Sequence, residues 1–151
     1  MIERVVHPYE LQKALEHVLA NKGSAGVDGV SVHEIRKIFT DKKLQLIEQI
    51  KTGSYQGQPI LGITIPKGSG KTRLLGIPTT IERVLQQSVA QNLAPLFEPE
   101  FKPTSYGFRP NKNARQAVGQ AKEYIHQGLN HIVDTDLKNF FDEVDHCLLL
   151  N

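Results

Sequence analysis

Residues 134–151 carry five carboxylates, Asp134, Asp136, Asp142, Glu143 and Asp145, against a single base, Lys138. Asp134 and Asp136 lie two apart in the run His131-Ile-Val-Asp-Thr-Asp136. If that run is a strand, both side chains point to one face. Carboxylate oxygens at a strand end are hard ligands of the kind Mg2+ takes. One such pair is not a two-metal site, so further ligands must come from elsewhere. The same spacing also suits a solvated strand end followed by helix caps. Asn139-Phe-Phe-Asp142 comes next and can wall a pocket.

Upstream the charge reverses. Residues 51–115 hold nine Lys and Arg against three Glu. The whole-chain charge of +2 hides this block and is too mild on its own to argue for a nucleic-acid partner. Gly68-Ser-Gly70-Lys71-Thr72 invites comparison with a phosphate-binding P-loop. That pattern needs a glycine at position 65, which is Ile, and a helix after Thr72, where the sequence reads as a strand. What survives is a glycine-rich turn flanked by Lys67, Lys71 and Arg73, suited to a triphosphate or a nucleic-acid backbone, or to plain solvent exposure. In Tyr106-Gly-Phe-Arg-Pro110, Arg109 suits phosphate binding and loop anchoring equally. The six histidines show no metal-ligand spacing. Cys147, the only cysteine, excludes an internal disulfide and reads as buried and inert.

Several elements must position these groups. Leu11, Leu15, Val18 and Leu19 share a face of a helix over 8–21, with Gly23 as its stop. Gly23 to Gly29 is a loop. Ser31-Val-His-Glu34 reads as a capping box opening a helix that Thr40-Asp41 restarts and that runs to about Gly53. Residues 60–66 and 72–77 form a β-hairpin. Thr79 and Thr80 open a helix ending near Pro95, and Asn113 caps another that Gly128 ends. His131 to Asp136 is a short strand, and Asp145 caps a last helix. The order ααββααβα points to an α+β fold.

At 151 residues the chain is one domain or part of one. No apolar run is long enough for a membrane span, and the N-terminus has no secretory h-region. One cysteine suits a reducing, cytoplasmic setting.

Five blocks together resemble the reverse transcriptases, or maturases, encoded by bacterial group II introns. They are Asn21-Lys-Gly-Ser-Ala-Gly-Val-Asp-Gly-Val30, Ile65-Pro-Lys-Gly-Ser-Gly-Lys-Thr-Arg-Leu-Leu-Gly-Ile-Pro78, Glu82-Arg-Val-Leu-Gln-Gln87, Ser105-Tyr-Gly-Phe-Arg-Pro110 and Val133-Asp-Thr-Asp-Leu-Lys-Asn-Phe-Phe-Asp142 with Asp145-His146. The resemblance implies a right-hand RNA-directed DNA polymerase, with fingers over residues 1–103 and the start of the palm over 104–151. It implies Lys67 and Arg73 as the grip on the incoming triphosphate. It implies Asp136 as the first catalytic aspartate, ligating Mg2+ with the Leu137 carbonyl, and Phe141 as the aromatic that excludes ribonucleotides. The glycine loop is similar to the family's template-contacting extension. The implied partners are an RNA template, a DNA primer and deoxynucleoside triphosphates, with roles in intron splicing and mobility.

The sequence departs from the family in places. Glu82 stands where Asp is usual, and Asn111-Lys-Asn-Ala114 replaces Gly-Arg-Ser-Ala. None of Tyr9, Tyr55, Tyr106 or Tyr124 begins the Tyr-Ala-Asp-Asp tetrad that carries the other catalytic aspartates. The expectation is therefore a chain that does not polymerise alone. Alternatives are a non-catalytic template-binding fragment, or a reverse transcriptase of another bacterial retroelement. Leu148-Leu-Leu150 is an apolar end suited to self-association.

Overall fold

The computed structural model describes residues 1–68, 70–138, 140, 141 and 143–150. It divides into two compact units, residues 1–100 and 101–151.

Unit 1 begins with a single turn, α1 (Ile2–Val5), which the sequence pattern does not reveal. Next comes α2 (Pro8–Ala20). His7 caps it, its Nδ1 accepting the Tyr9 N–H, and Pro8 sits at the first helical position, where its missing donor costs nothing. Leu11, Ala14, Leu15 and Val18 form its buried stripe. The residue that takes the left-handed conformation after α2 is Lys22 (φ +48°), not Gly23. Gly23 is pressed against the Arg83 guanidinium, where a Cβ would collide.

The next helix, α3 (Ile35–Lys51), runs unbroken. The expected restart at Thr40-Asp41 does not occur, because the Thr40 hydroxyl donates to the Arg36 carbonyl one turn back and leaves the backbone helical. Only half of the capping box forms: the Ser31 N–H and hydroxyl both donate to Glu34 Oε2, and the helix begins after Glu34. Strands β1 (Leu61–Pro66) and β2 (Thr72–Ile77) pair antiparallel as expected, with Leu61 opposite Ile77 and Pro66 opposite Thr72. Ser69 in the expected turn lies outside the described residues.

The helix α4 (Thr80–Phe97) passes through Pro95 and continues into a 3-10 turn, Glu98–Glu100. A proline near a helix end forfeits one backbone bond without stopping the last turn. Its buried stripe is Thr80, Val84, Ser88 and Asn92, mostly small and polar. The Ser88 hydroxyl donates to the Val5 carbonyl (2.6 Å), and Gln91 Nε2 to the Glu10 carbonyl (2.8 Å), so hydrogen bonds help seat α4 on α1 and α2. The core joins Val6, the α2 stripe, Ile35, Phe39, Leu46 and Val84.

Unit 2 contains α5 (Ala114–His126) and α6 (His146–Leu150). Asn113 and Gln116 form a complete capping box on α5, and Gly128 (φ +87°) follows its end. Asp145 Oδ1 accepts the N–H groups of Cys147 and Leu148. The strand expected over His131–Asp136 is not formed. A strand exists only through its ladder, and among the described residues the only sheet is β1–β2, in the other unit. The common strand face for Asp134 and Asp136 is corrected accordingly. Cys147 is exposed, not buried. The apolar side of α5 is open to solvent, with no buried residue on the helix, and Leu148 and Leu149 are exposed as well. No described helix is long and apolar enough to cross a membrane.

Candidate nucleotide and template site

In a hairpin, side chains alternate between two faces. The register that sets Ile65 opposite Arg73 puts Lys67, Lys71 and Arg73 on one face, continuing the apolar row of Leu61, Ile63, Ile65, Leu75 and Ile77. The Lys67 N–H donates to the Lys71 carbonyl (2.8 Å), closing the ladder under the turn. Gly68 (φ +77°) and Gly70 (φ +72°) supply the left-handed turns that a residue with a side chain resists. All three cations are exposed, and among the described residues none is ion-paired. Three positive charges without counter-charges on one small face make that face locally cationic.

At the base of the hairpin, the first turn of α4 organises its surroundings. The Thr79 hydroxyl accepts the Glu82 N–H and caps the helix. The Thr80 hydroxyl donates to the Val30 carbonyl (2.8 Å), and Arg83 Nη2 donates to the Ser24 carbonyl (2.6 Å). Gly26 packs on the Thr79 backbone. The loop 23–29 is thereby fixed against α4 at both ends. Glu82 Oε1 accepts both the Tyr55 hydroxyl (2.7 Å) and the Gln58 N–H (2.8 Å). Burial, and then the Glu82 carboxylate, push the Tyr55 phenol well above its ordinary range. Beside these residues a cleft of about 710 Å³ opens, with Phe39 and Leu46 among its apolar lining and Gln45, Gln49 and Gln58 among its amides.

In unit 2, Arg109 is half-buried. Its Nη1 donates to the carbonyls of Lys102 (2.7 Å) and Ser105 (2.9 Å), and its guanidinium lies 5.2 Å from the Phe101 ring centroid. Lys112 repeats the pattern on the Pro103 carbonyl and the Tyr106 ring. These two cations staple the loop 101–112, in which Phe108 and Asn111 hold left-handed conformations. These contacts are of the anchoring kind, one of the two roles the sequence allowed Arg109.

Asp134, Asp136 and Leu137 lie on exposed, irregular backbone. Among the described residues no three His, Cys, Asp or Glu side chains gather closely enough to hold a metal ion. The Asp136 carboxylate and the Leu137 carbonyl are oxygen donors, open to solvent, and suit Mg2+ in kind while supplying only part of its shell. Phe141 is 87% exposed, with its ring centroid 5.6 Å from that of Phe140. Asn139 and Asp142, expected to wall a pocket there, lie outside the described residues.

A family model described as reverse transcriptase (RNA-dependent DNA polymerase) matches residues 65–151, from β1 to the end of the chain. The chain belongs to the reverse transcriptase family. Group II intron-encoded protein LtrA of Lactococcus lactis subsp. cremoris is 34% identical over 91% of this chain and 23% of its own length. The COX1/OXI3 intron 2 protein of Saccharomyces cerevisiae is 31% identical over 87% of this chain and 14% of its own. Protein YkfC of Escherichia coli K12 is 30% identical over 99% of this chain and 41% of its own. The chain thus spans less than half the length of these relatives. The resemblance to group II intron reverse transcriptases drawn from the five blocks is borne out. The positions that sequence reasoning left without a role are Tyr55, Glu82 and Arg83. Glu82 and Arg83 stood inside one of the five blocks, which was the available signal.

Proposed function

We propose that this chain is the fingers (residues 1–103) and the start of the palm (104–151) of a group II intron-type RNA-directed DNA polymerase. The observation that carries the reading is the hairpin tip, three unpaired cations on one face, in a chain of reverse transcriptase sequence. Lys67 and Arg73 hold the incoming deoxynucleoside triphosphate by charge and hydrogen bonds. Asp136 and the Leu137 carbonyl contribute oxygen ligands. Bound Mg2+ supplies charge stabilisation to the attacking and leaving oxygens of phosphoryl transfer. Phe141 stands against the sugar and bars a 2′-hydroxyl. Arg109, on the loop it anchors, adds a further cationic contact to the nucleotide. The loop 23–29 contacts the RNA template, and the primer is DNA. In its host the polymerase also aids intron splicing and mobility, and it works in the cytoplasm.

The test is RNA-templated primer extension by this chain joined to the part of the Lactococcus relative that follows the matched region. Synthesis should require Mg2+ and fall by roughly a thousandfold in Asp136→Asn. Equal synthesis by that variant overturns the assignment. The 151-residue chain alone should extend nothing, since Asp136 is its one match to the catalytic set. A second reading, a template-binding module without catalysis, is favoured by the excess of nine basic over three acidic residues in 51–115.

A further inference from the structure

The hairpin is held mainly by its own two strands: no helix packs extensively on β1 or β2 among the described residues. Its direction must therefore be set at its two roots. The outgoing root, Pro78 and Thr79, runs straight into α4 and inherits the helix's orientation. The incoming root, residues 55–60, is irregular and needs a separate tether.

Glu82 is that tether. It sits in the first turn of α4, next to the outgoing root, and its Oε1 accepts from the incoming root twice, at the Tyr55 hydroxyl and the Gln58 N–H. Gly57 lies between these donors, and a Cβ built there would stand 3.3 Å from the same oxygen, so its bare backbone lets the carboxylate approach. Tyr55 packs against the hydrophobic core, so the tether is anchored in the core of unit 1. We propose that Glu82 is a positioning residue that cross-links the two roots of the hairpin and aims the cationic tip. This rests on the reading of that tip as a phosphate grip. The role differs from that of its neighbour Arg83, whose guanidinium donates to the Ser24 carbonyl and the Thr80 hydroxyl and so holds the loop 23–29.

The chemistry separates charge from geometry. Glu82→Gln keeps an Oε1 acceptor for both donors and loses only the charge. Glu82→Ala loses the acceptor. Tyr55→Phe removes one donor and serves as a milder variant should Glu82→Ala not fold.

The experiment is nuclear magnetic resonance on the 151-residue chain. In Glu82→Ala the Gln58 amide should exchange about tenfold faster, the factor corresponding to one lost charge-assisted hydrogen bond. The residual dipolar couplings of β1 and β2 should cease to fit the alignment of α2 and α4. Glu82→Gln should restore the couplings and a large part of the amide protection, while the Tyr55 phenol titrates at lower pH. Tyr55→Phe should shift the hairpin couplings less than Glu82→Ala does. Unchanged exchange and couplings in Glu82→Ala, or in Tyr55→Phe where that stands in for it, overturn the proposal. Failure of Glu82→Gln to restore the couplings does so too. Inorganic tripolyphosphate, added to the wild type, tests the underlying reading separately. It should shift the amides of Lys67, Lys71 and Arg73 and lose that effect in Lys67→Ala. Absence of any shift overturns the phosphate grip and leaves the tether to be decided by the couplings.

Discussion

Gly26 lies directly against the backbone of Thr79: a Cβ built on the glycine would come within 2.7 Å of Thr79 Cα and 2.8 Å of its nitrogen. Backbone cannot swing aside as a flexible side chain can. Gly26→Ala should therefore cost about 1–3 kcal/mol, the range for overpacking. Gly107→Ala, where nothing lies within 4 Å, should stay within about 0.5 kcal/mol. Urea midpoints of the two variants provide the comparison, and equal midpoints would show that the loop 23–29 is not docked on α4.

Ser88 is fully buried, and its hydroxyl donates to the Val5 carbonyl. Ser88→Ala leaves that carbonyl unsatisfied under α4, which should cost about 1–3 kcal/mol. Amide exchange should show α1 opening before the rest of unit 1.

The Tyr55 phenol is raised in the fold by burial first and by Glu82 second. The folded state then keeps a proton that the unfolded state releases above about pH 10. This contribution is complete below that pH and is lost as pH rises beyond it. Stability should fall on the alkaline side, and the fall should be smaller in Tyr55→Phe. At the acid end the signs reverse. Glu16 is lowered mainly by its hydrogen bonds with Arg36, and Glu34 by those with Ser31. Their contributions are present above the ordinary carboxylate range and disappear as pH falls through it. Denaturant midpoints measured across pH check both directions.

Arg109 spends Nη1 on two carbonyls of its own loop and stacks on Phe101. Lysine cannot reproduce a planar fork. Arg109→Lys should loosen the loop 101–112 nearly as much as Arg109→Ala, and limited proteolysis should cut both variants there faster than the wild type.

Legibility followed the range of the interactions. The hairpin, the cap at Asn113 and the buried stripe of α2 depend on neighbours a few residues away, and their sequences announced them. The strand over His131–Asp136 did not form, because a strand takes its hydrogen bonds from a distant partner that spacing alone cannot supply. Cys147 read as buried on residue type, and it is exposed. The site divided in the same way. Lys67, Lys71 and Arg73 were visible as a local cluster. The Tyr55–Glu82 bond spans 27 residues and the Arg83–Ser24 bond 59, separations at which sequence carries no pairing signal.

The most direct test of the account is the affinity of the 151-residue chain for an RNA template annealed to a DNA primer, measured across salt from about 50 to 200 mM. A fingers fragment that grips nucleic-acid phosphates should bind at low salt. Its log affinity should fall linearly with log salt, by roughly 0.9 for each phosphate neutralised on a B-form duplex and by a similar order here. No measurable binding at low salt, or an affinity indifferent to salt, would contradict it.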